Sequence, residues 1–458
     1  MRCGRILVGA GVLLLLGIAG GVCYWLAYRE QHGAAKPLPI AVVISGDTKG
    51  WIVPCGCAAN QSGGLLRRAS YLRDLAATSQ VVYVDAGGSA SGTAEYDALK
   101  FQAILSGEKS MGLAVHNIGD PEAALGPSEL KRLADRTGVA FISANLKDHS
   151  GGAQFDPYKI INATDRRIAF IGVTSTKSAN KNWKVADPKS SVMEAIRELK
   201  GKCDSIIVLA YLPELELRQL AADVPEADIV AGGPTGQAIL PTRIGPSLLT
   251  AATNKGKFVA ELHLAPKGWT GKIVEIRSDI KDDAQQQSNL KAFHQRLAEL
   301  DLSADKTSFV SALLSSAPAG YQIAGSESCR SCHTNDCTHW ATTKHAAAWE
   351  TLRTREYHFD SYCQQCHTTG YGMPGGFYSV NKSPDRFAVG CESCHGPSKE
   401  HVGQPKTRTP FVAKDQCVRC HDHENSPTFA YEKYWPKITH GQKMNPNSIG
   451  GAPKGKSP

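Results

Sequence analysis

The chain has 458 residues, 42% hydrophobic and 21% charged, with a formal net charge of +8. That length exceeds one compact core and the composition is ordinary, so two folded domains with accessories are expected, not a disordered chain. The charge excess is modest and no basic arm or nucleic-acid motif is present, which speaks against a nucleic-acid partner.

At the N-terminus, Arg2 and Arg5 precede an uncharged run from Ile6 to Tyr28, long enough to cross hydrocarbon as a helix. Positive charge ahead of the run puts the N-terminus in the cytoplasm and the remainder outside. An uncleaved anchor is favoured over a cleaved signal, because the run is long and Val22 before Cys23 makes a poor lipoprotein site. Residues 1–38 are therefore expected to form a transmembrane helix and linker. They would hold the protein on the periplasmic side of a bacterial inner membrane.

From Ile40 to about Asp279, short β-branched runs alternate with helical stretches. The strand candidates are Ile40–Ile44, Val81–Val84, Ala140–Ser143, Ile168–Val173, Ser205–Leu209 and Asp228–Ala231. Between them lie amphipathic segments such as Gly64–Ala77 and Ser128–Thr137. Strands separated by helices predict a layered α/β domain over residues 39–280. In Asp282–Leu302, apolar Leu290, Phe293, Leu297 and Leu300 recur at helical spacing. With the Ser/Ala/Pro-rich hinge Ser311–Gly320, this makes residues 281–320 a helical linker.

Residues 321–442 carry four Cys-x-x-Cys-His motifs: Cys329/Cys332/His333, Cys363/Cys366/His367, Cys391/Cys394/His395 and Cys417/Cys420/His421. This is the c-type haem attachment signature, two thioethers to one porphyrin with the adjacent His on its iron. Structural zinc is the competing explanation, but zinc needs no His after every second Cys. Four covalently bound haem c groups follow, within a mainly α, irregular region whose core the porphyrins largely supply. Four ferric haems with ionised propionates would bring the net charge to about +4, a mild excess that suits an acidic redox partner. The remaining cysteines are Cys3, Cys23, Cys55, Cys57, Cys203 and Cys337, with Cys337 read as a buried thiol. Residues 443–458 read as a flexible tail.

Each iron takes a second axial ligand or keeps an open position. Candidates are His339, His345, His358, His401, His423 and His440. The segment Gly325-Ser-Glu-Ser-Cys329, the Trp340/His345-Ala pair, the Cys391-Glu-Ser-Cys394-His395-Gly-Pro stretch and the terminal His440-Gly441 resemble the tetrahaem cytochrome c-554 family. The resemblance covers roughly 120 residues. It implies packed haems that pass electrons, with His345, His401 and His440 as distal ligands. It also implies that one haem can be five-coordinate. The haem at Cys363–His367 is then the candidate for the open iron; the alternative is that His358 or His423 fills the fourth place.

The preceding half resembles the calcineurin-like metallophosphoesterases of the 5′-nucleotidase/UDP-sugar hydrolase branch. The landmarks are Ser45-Gly-Asp47-Thr-Lys49-Gly50, Gly63-Gly64-Leu-Leu-Arg67-Arg68-Ala69, Val84-Asp85-Ala-Gly87-Gly88, Ser143-Ala-Asn145-Leu146, Ile171-Gly-Val-Thr and Gly232-Gly233-Pro234-Thr235-Gly236. The resemblance implies an α/β/β/α sandwich and two catalytic metals that activate water. Yet Lys49 stands in a His place, Gly88 in that of the bridging Asp, and Gly119-Asp120-Pro121-Glu122 where Gly-Asn-His-Glu belongs. Tyr211 replaces a lone His, and Pro234 and Gly236 the last two ligands. An inactive domain is expected, with Lys49 substituting for cationic charge against Asp47 or Asp120. Cys55 and Cys57, in the loop after the first strand, read either as a redox dithiol, a soft-metal ligand pair or an extra haem ligand, or as a strained local disulfide or packed thiols. His116, His149 and His263 read as structural.

The expected whole is a membrane-anchored tetrahaem cytochrome that carries electrons between redox partner proteins. Two alternatives remain: an oxidoreductase acting on a small nitrogen or sulfur compound at an open haem, and a 5′-nucleotidase-like phosphoesterase with accessory haems. No catalytic residue is assigned.

Overall fold

A computed structural model describes residues 38–54, 61–309 and 320–441. The β-branched runs form strands where expected, at Ile40–Ser45, Gln80–Asp85, Phe141–Ile142, Arg166–Thr174, Ser205–Tyr211 and Ile229–Gly233. The amphipathic stretches form helices Leu65–Ala76, Pro127–Thr137 and Ala284–Leu300.

Two six-stranded sheets result. The first has the order Gly268–Glu275, Phe258–Ala265, Ile40–Ser45, Gln80–Asp85, Leu113–Asn117, Phe141–Ile142. The second has the order Ile239–Ile244, Ser247–Ala251, Ile229–Gly233, Ser205–Tyr211, Arg166–Thr174, Tyr158–Ala163. Their central strands pair in parallel, which requires crossover connections that place helices on the faces.

Strand alternation explains the layers. Val42, Ile44, Val82 and Val84 point between the sheets and meet Ile168, Phe170, Ile207 and Leu209. Their neighbours Val43 and Tyr83 face outward onto Leu72, Phe101 and Leu105. On the other side, Ala169, Ile171 and Val173 pack on Val192, Leu217 and Leu220. Both faces of the central strands are therefore buried, which is why their sequences read as continuous apolar runs and not as alternation. Each such buried Val, Leu, Ile or Phe contributes about 1.5–3 kcal/mol relative to exposure. This is the α/β/β/α sandwich that the landmarks implied.

Residues 320–441 are built from short helices joined by turns, among them Thr334–Ala341, Ala348–Thr354, Ser361–His367 and Cys391–His395. Their apolar cluster is small: Trp349, Leu352, Tyr371 and Phe377, joined by Ala304 from the preceding segment, with Trp349 stacked on Phe387 at 4.0 Å.

The expected N-terminal transmembrane helix is not supported, and the inner-membrane-anchored location and membrane partner fall with it. Among the described residues no helix is long and apolar enough to cross a membrane, and the run from Ile6 to Tyr28 lies outside them. Cys55 and Cys57, the hinge up to residue 319 and the tail also lie outside the described residues.

Candidate functional site

The parallel strands of the sandwich end at Ser45, Asp85, Asn117, Thr174, Tyr211 and Gly233, the edge where α/β folds bind ligands. Asp47, Lys49, Gly88, Gly119 and Tyr211 converge there. Asp47 is 2% exposed and its carboxylate is already saturated. Oδ1 accepts the Tyr211 hydroxyl at 3.2 Å and lies 3.3 Å from Lys49 Nζ. Oδ2 accepts Thr253 Oγ1 at 2.5 Å and the Asn254 N–H at 3.4 Å. Burial and the Asp47 charge push the Tyr211 phenol upward, so it stays protonated and donates.

The Tyr211 ring fills the space between Gly88 and Gly119. A Cβ on Gly88 would collide with its Cε2, and one on Gly119 would lie 2.7 Å from its Cγ. Gly88 has φ +85°, a conformation that glycine adopts without strain. The ammonium of Lys49 and the phenol of Tyr211 thus both engage Asp47 Oδ1. Asp120 bonds Thr174 Oγ1 at 3.4 Å. Glu122 ties the loops together, its carboxylate accepting the N–H groups of Gly88, Ala90 and Gly119 at 2.8–3.0 Å. Asp85, Glu108 and His116 cluster behind this edge, with the buried Arg68 guanidinium 3.2 Å from Glu108. His149 bonds the Lys181 carbonyl and His263 the Glu261 carboxylate, each at 2.7 Å.

In residues 320–441 the attachment motifs come together in pairs. Cys329 and Cys391 lie within hydrogen-bonding reach, joining the first and third. Cys420 does the same with Cys366, joining the fourth and second. Cys337 is buried beside Cys391. A cavity of about 760 Å³ is lined by Cys329, Cys332, His333, Cys391, Cys394 and His395 together with His345, His401 and His440.

Each distal candidate named from the resemblance faces the imidazole of an attachment motif. His333 and His401 have ring centroids 6.2 Å apart, His345 and His421 6.2 Å, and His395 and His440 6.0 Å. Two imidazoles sharing one metal, with metal–nitrogen bonds of about 2 Å, place their centroids roughly 6 Å apart. His339 also lies 6.3 Å from His440, with Nε2 buried and unbonded. His358 packs on Trp349 and Phe359. Among the described residues, no ring contact of this kind joins His367 to a second imidazole.

The other ring nitrogens are pinned. Nδ1 of His367 meets the Ala348 carbonyl at 2.7 Å, Nδ1 of His401 that of Thr407 at 2.7 Å, and Nδ1 of His440 that of Ile438 at 2.9 Å. Nδ1 of His421 meets Ser426 Oγ at 3.1 Å. A proton held on Nδ1 leaves the Nε2 lone pair free for a metal. Burial holds His345, His367, His395 and His421 below the usual imidazole range, which favours the neutral, ligating form. The thiol pairs, the imidazole spacing and the pinned Nδ1 atoms all fit haem c.

Comparison with known proteins agrees with this chemistry. Residues 328–396 match the family model "Cytochrome c554 and c-prime". The C-terminal region is cytochrome c554-like. It aligns with cytochrome c-554 of Nitrosomonas europaea at 30% identity, over 22% of this chain and 59% of that protein. The likeness to this family implies covalently bound haem c in that region. The sandwich aligns with snake venom 5′-nucleotidase from Gloydius brevicauda at 28% identity, over 42% of this chain and 35% of that enzyme. The chain thus spans 59% and 35% of the lengths of these two relatives. A 5′-nucleotidase precursor from Thermus thermophilus superposes with a TM-score of 0.50 at 19% identity, covering 57% of this chain and 60% of that one. That likeness speaks to fold alone.

Sequence reasoning missed three residues that build the site. Glu392, inside the third motif, accepts the N–H groups of Ala324, Gly325 and Ser398 at 2.7–2.8 Å, stapling the segment before the first motif to the third. Asp360 caps helix Ser361–His367 by accepting the Tyr362 N–H at 2.9 Å; its place three residues before Cys363 is a readable N-cap signal. Trp51, from the loop beyond Lys49, meets Tyr362 edge-on at 5.3 Å, a contact without local sequence signal. Nearby, Gln61 Nε2 donates to the Glu424 carbonyl at 2.9 Å and Lys255 pairs with the Glu424 carboxylate.

Proposed function

We propose that this chain is a tetrahaem c-type cytochrome that passes electrons between redox partner proteins. The domain order is a metallophosphoesterase-like domain over 39–280, a linker over 281–320 and the haem domain over 321–442. Cys329, Cys332, Cys363, Cys366, Cys391, Cys394, Cys417 and Cys420 hold the porphyrins. His333, His367, His395 and His421 are proximal ligands, and His401, His440 and His345 are distal to His333, His395 and His421. Bound haem c supplies one-electron chemistry. The chain's part is to fix each imidazole through its Nδ1 acceptor and to pair the motifs closely enough for electrons to pass.

The observation that carries this reading is the spacing of the three imidazole pairs. It is tested on protein matured in a host that attaches haem c. The mass should exceed the polypeptide by four porphyrins, and electron paramagnetic resonance should show three low-spin irons and one high-spin iron. A polypeptide of unmodified mass would end the proposal.

A second reading, turnover of a small nitrogen or sulfur compound at an open iron, is favoured by one observation: among the described residues no ring contact joins His367 to a second imidazole. Binding of such a ligand at the high-spin iron, followed by its conversion, would support it. Hydrolysis is disfavoured by the Tyr211 ring between Gly88 and Gly119.

A further inference from the structure

Behind the Asp47 edge, three carboxylates and one guanidinium surround a single imidazole away from water. Asp85 ends strand Gln80–Asp85, His116 lies in strand Leu113–Asn117 and Glu108 in the last turn of helix Glu95–Ser110. These three, with Arg68 and Glu122, are 0% exposed. Phe101 and Phe141 flank the His116 ring, centroids 5.9 and 5.3 Å away. His116 Nδ1 lies 3.5 Å from Glu108 Oε2 and 3.7 Å from Asp85 Oδ1. Its Nε2 faces Glu122 Oε1 at 3.9 Å. Neither ring nitrogen makes a hydrogen bond, and neither does Glu108 Oε2. One ligand atom from each of Asp85, Glu108 and His116 lies within 4.8 Å of the others.

We propose that Asp85, Glu108 and His116 hold one divalent transition-metal ion as a structural site. One imidazole with two carboxylates suits zinc first. None of these ligands belongs to the Asp47 cluster, and the inference does not depend on haem attachment.

The spacing separates a metal from a proton. A proton shared between these groups draws nitrogen and oxygen to roughly 2.7–3.2 Å. Ligands about 2.0–2.2 Å from a tetrahedral zinc stand roughly 3.3–3.6 Å apart. The two Nδ1 distances lie near the second range and outside the first. The charges agree. With His116 neutral, Asp85, Glu108 and Glu122 face only the Arg68 guanidinium, 3.2 Å from Glu108. A divalent cation cancels the excess, and a buried charge left unbalanced is costly. In the metal-free chain the carboxylates hold a proton on His116 against burial, and the cation displaces it.

The outer partners are also in place. Ser45 Oγ donates to Asp85 Oδ2 at 2.5 Å and the Gly87 N–H to Asp85 Oδ1 at 2.8 Å. Arg68 and the Tyr83 hydroxyl engage Glu108 Oε1, which leaves Oε2 for the ion. A ligating imidazole turns its other N–H toward a carboxylate, and Glu122 stands on that side. Glu122 in turn holds the Gly88, Ala90 and Gly119 N–H groups, so the ion braces the loops of the Asp47 edge from behind.

The test is metal analysis of the full-length holoprotein, made in a host that attaches haem c and supplied with Zn²⁺ and Mn²⁺ during growth. The site is closed to water, so the ion enters as the chain folds. One non-haem ion per chain, not two, should survive dialysis against a chelator. X-ray absorption at its edge should show nitrogen and oxygen neighbours, with imidazole scattering. His116→Gln and the shape-conserving Glu108→Gln should each lose the ion with haem content unchanged, while Asp47→Asn keeps it. If neither glutamine variant accumulates, imidazole scattering in the wild type decides, because Asp47, Lys49, Asp120 and Tyr211 include no histidine. A missing or chelator-stripped ion overturns the inference, as does an ion retained by both glutamine variants. Sulfur neighbours at about 2.3 Å also overturn it, and count separately against haem at the attachment cysteines.

Discussion

At the residue scale, the fully buried His116 links pH to stability. Burial opposes its charge, but Asp85, Glu108 and Glu122 outweigh burial and hold its pKa well above the usual value. A raised histidine pKa contributes stability that is complete below about pH 6.5 and is lost as pH rises through the folded value. Asp85 also favours the acid side. Burial, then the Glu108 charge, push it up to about 6. The unfolded chain releases this proton first, so stability falls between the ordinary aspartate value and about pH 6. The melting temperature should therefore decline from mildly acid to alkaline pH, and His116→Gln should flatten the alkaline part. An alkaline decline unchanged in that variant would remove His116 as its source. Tyr211 supplies a second residue-scale expectation. Wild-type protein given Mn²⁺ or Zn²⁺ should bind no stoichiometric dimetal pair and hydrolyse no nucleotide, as read by metal analysis and phosphate release. Tyr211→Ala should cost about 3 kcal/mol in denaturant unfolding.

At the scale of elements, Glu392 joins two segments through three backbone N–H groups. Glu392→Ala should leave buried donors unpaired and cost roughly 3 kcal/mol, measured as a lower melting temperature with haem attachment retained. Much of this level was legible from the chain. Ile40–Ser45 and Arg166–Thr174 announce themselves as β-branched runs bounded by turn residues, and Ala284–Leu300 through the spacing of Phe293 and Leu297. Leu113–Asn117 escaped notice because five residues ending in His and Asn carry little strand propensity; their burial comes from neighbouring strands. Helix Glu95–Ser110 escaped because it is embraced on several sides and shows no single apolar stripe. In the haem region, attachment positions could be read locally. The pairing of His401 with His333, and of His345 with His421, could not, since it joins rings 68 and 76 positions apart in the numbering.

At the scale of the molecule, two regions with different sources of cohesion share one interface. The sandwich has three large apolar clusters of its own; residues 320–441 have one small one. Protein made without haem maturation should therefore keep a protease-resistant core spanning roughly residues 38–300, while residues 320–441 are cut rapidly. Equal resistance of both parts would contradict the view that porphyrins supply the missing interior. Trp51, Gln61 and Lys255, all from loops near the Asp47 edge, are committed to Tyr362 and Glu424 beside the second and fourth motifs.

The phenol wedged between Gly88 and Gly119 makes three positions of this domain depend on one another. A Gly88→Asp replacement on its own would drive a new side chain into the Tyr211 ring and lose stability. Shortening residue 211 makes room for that side chain, at the cost of the void the smaller residue leaves. Residues 88 and 211 therefore trade volume: a larger side chain at one needs a smaller one at the other.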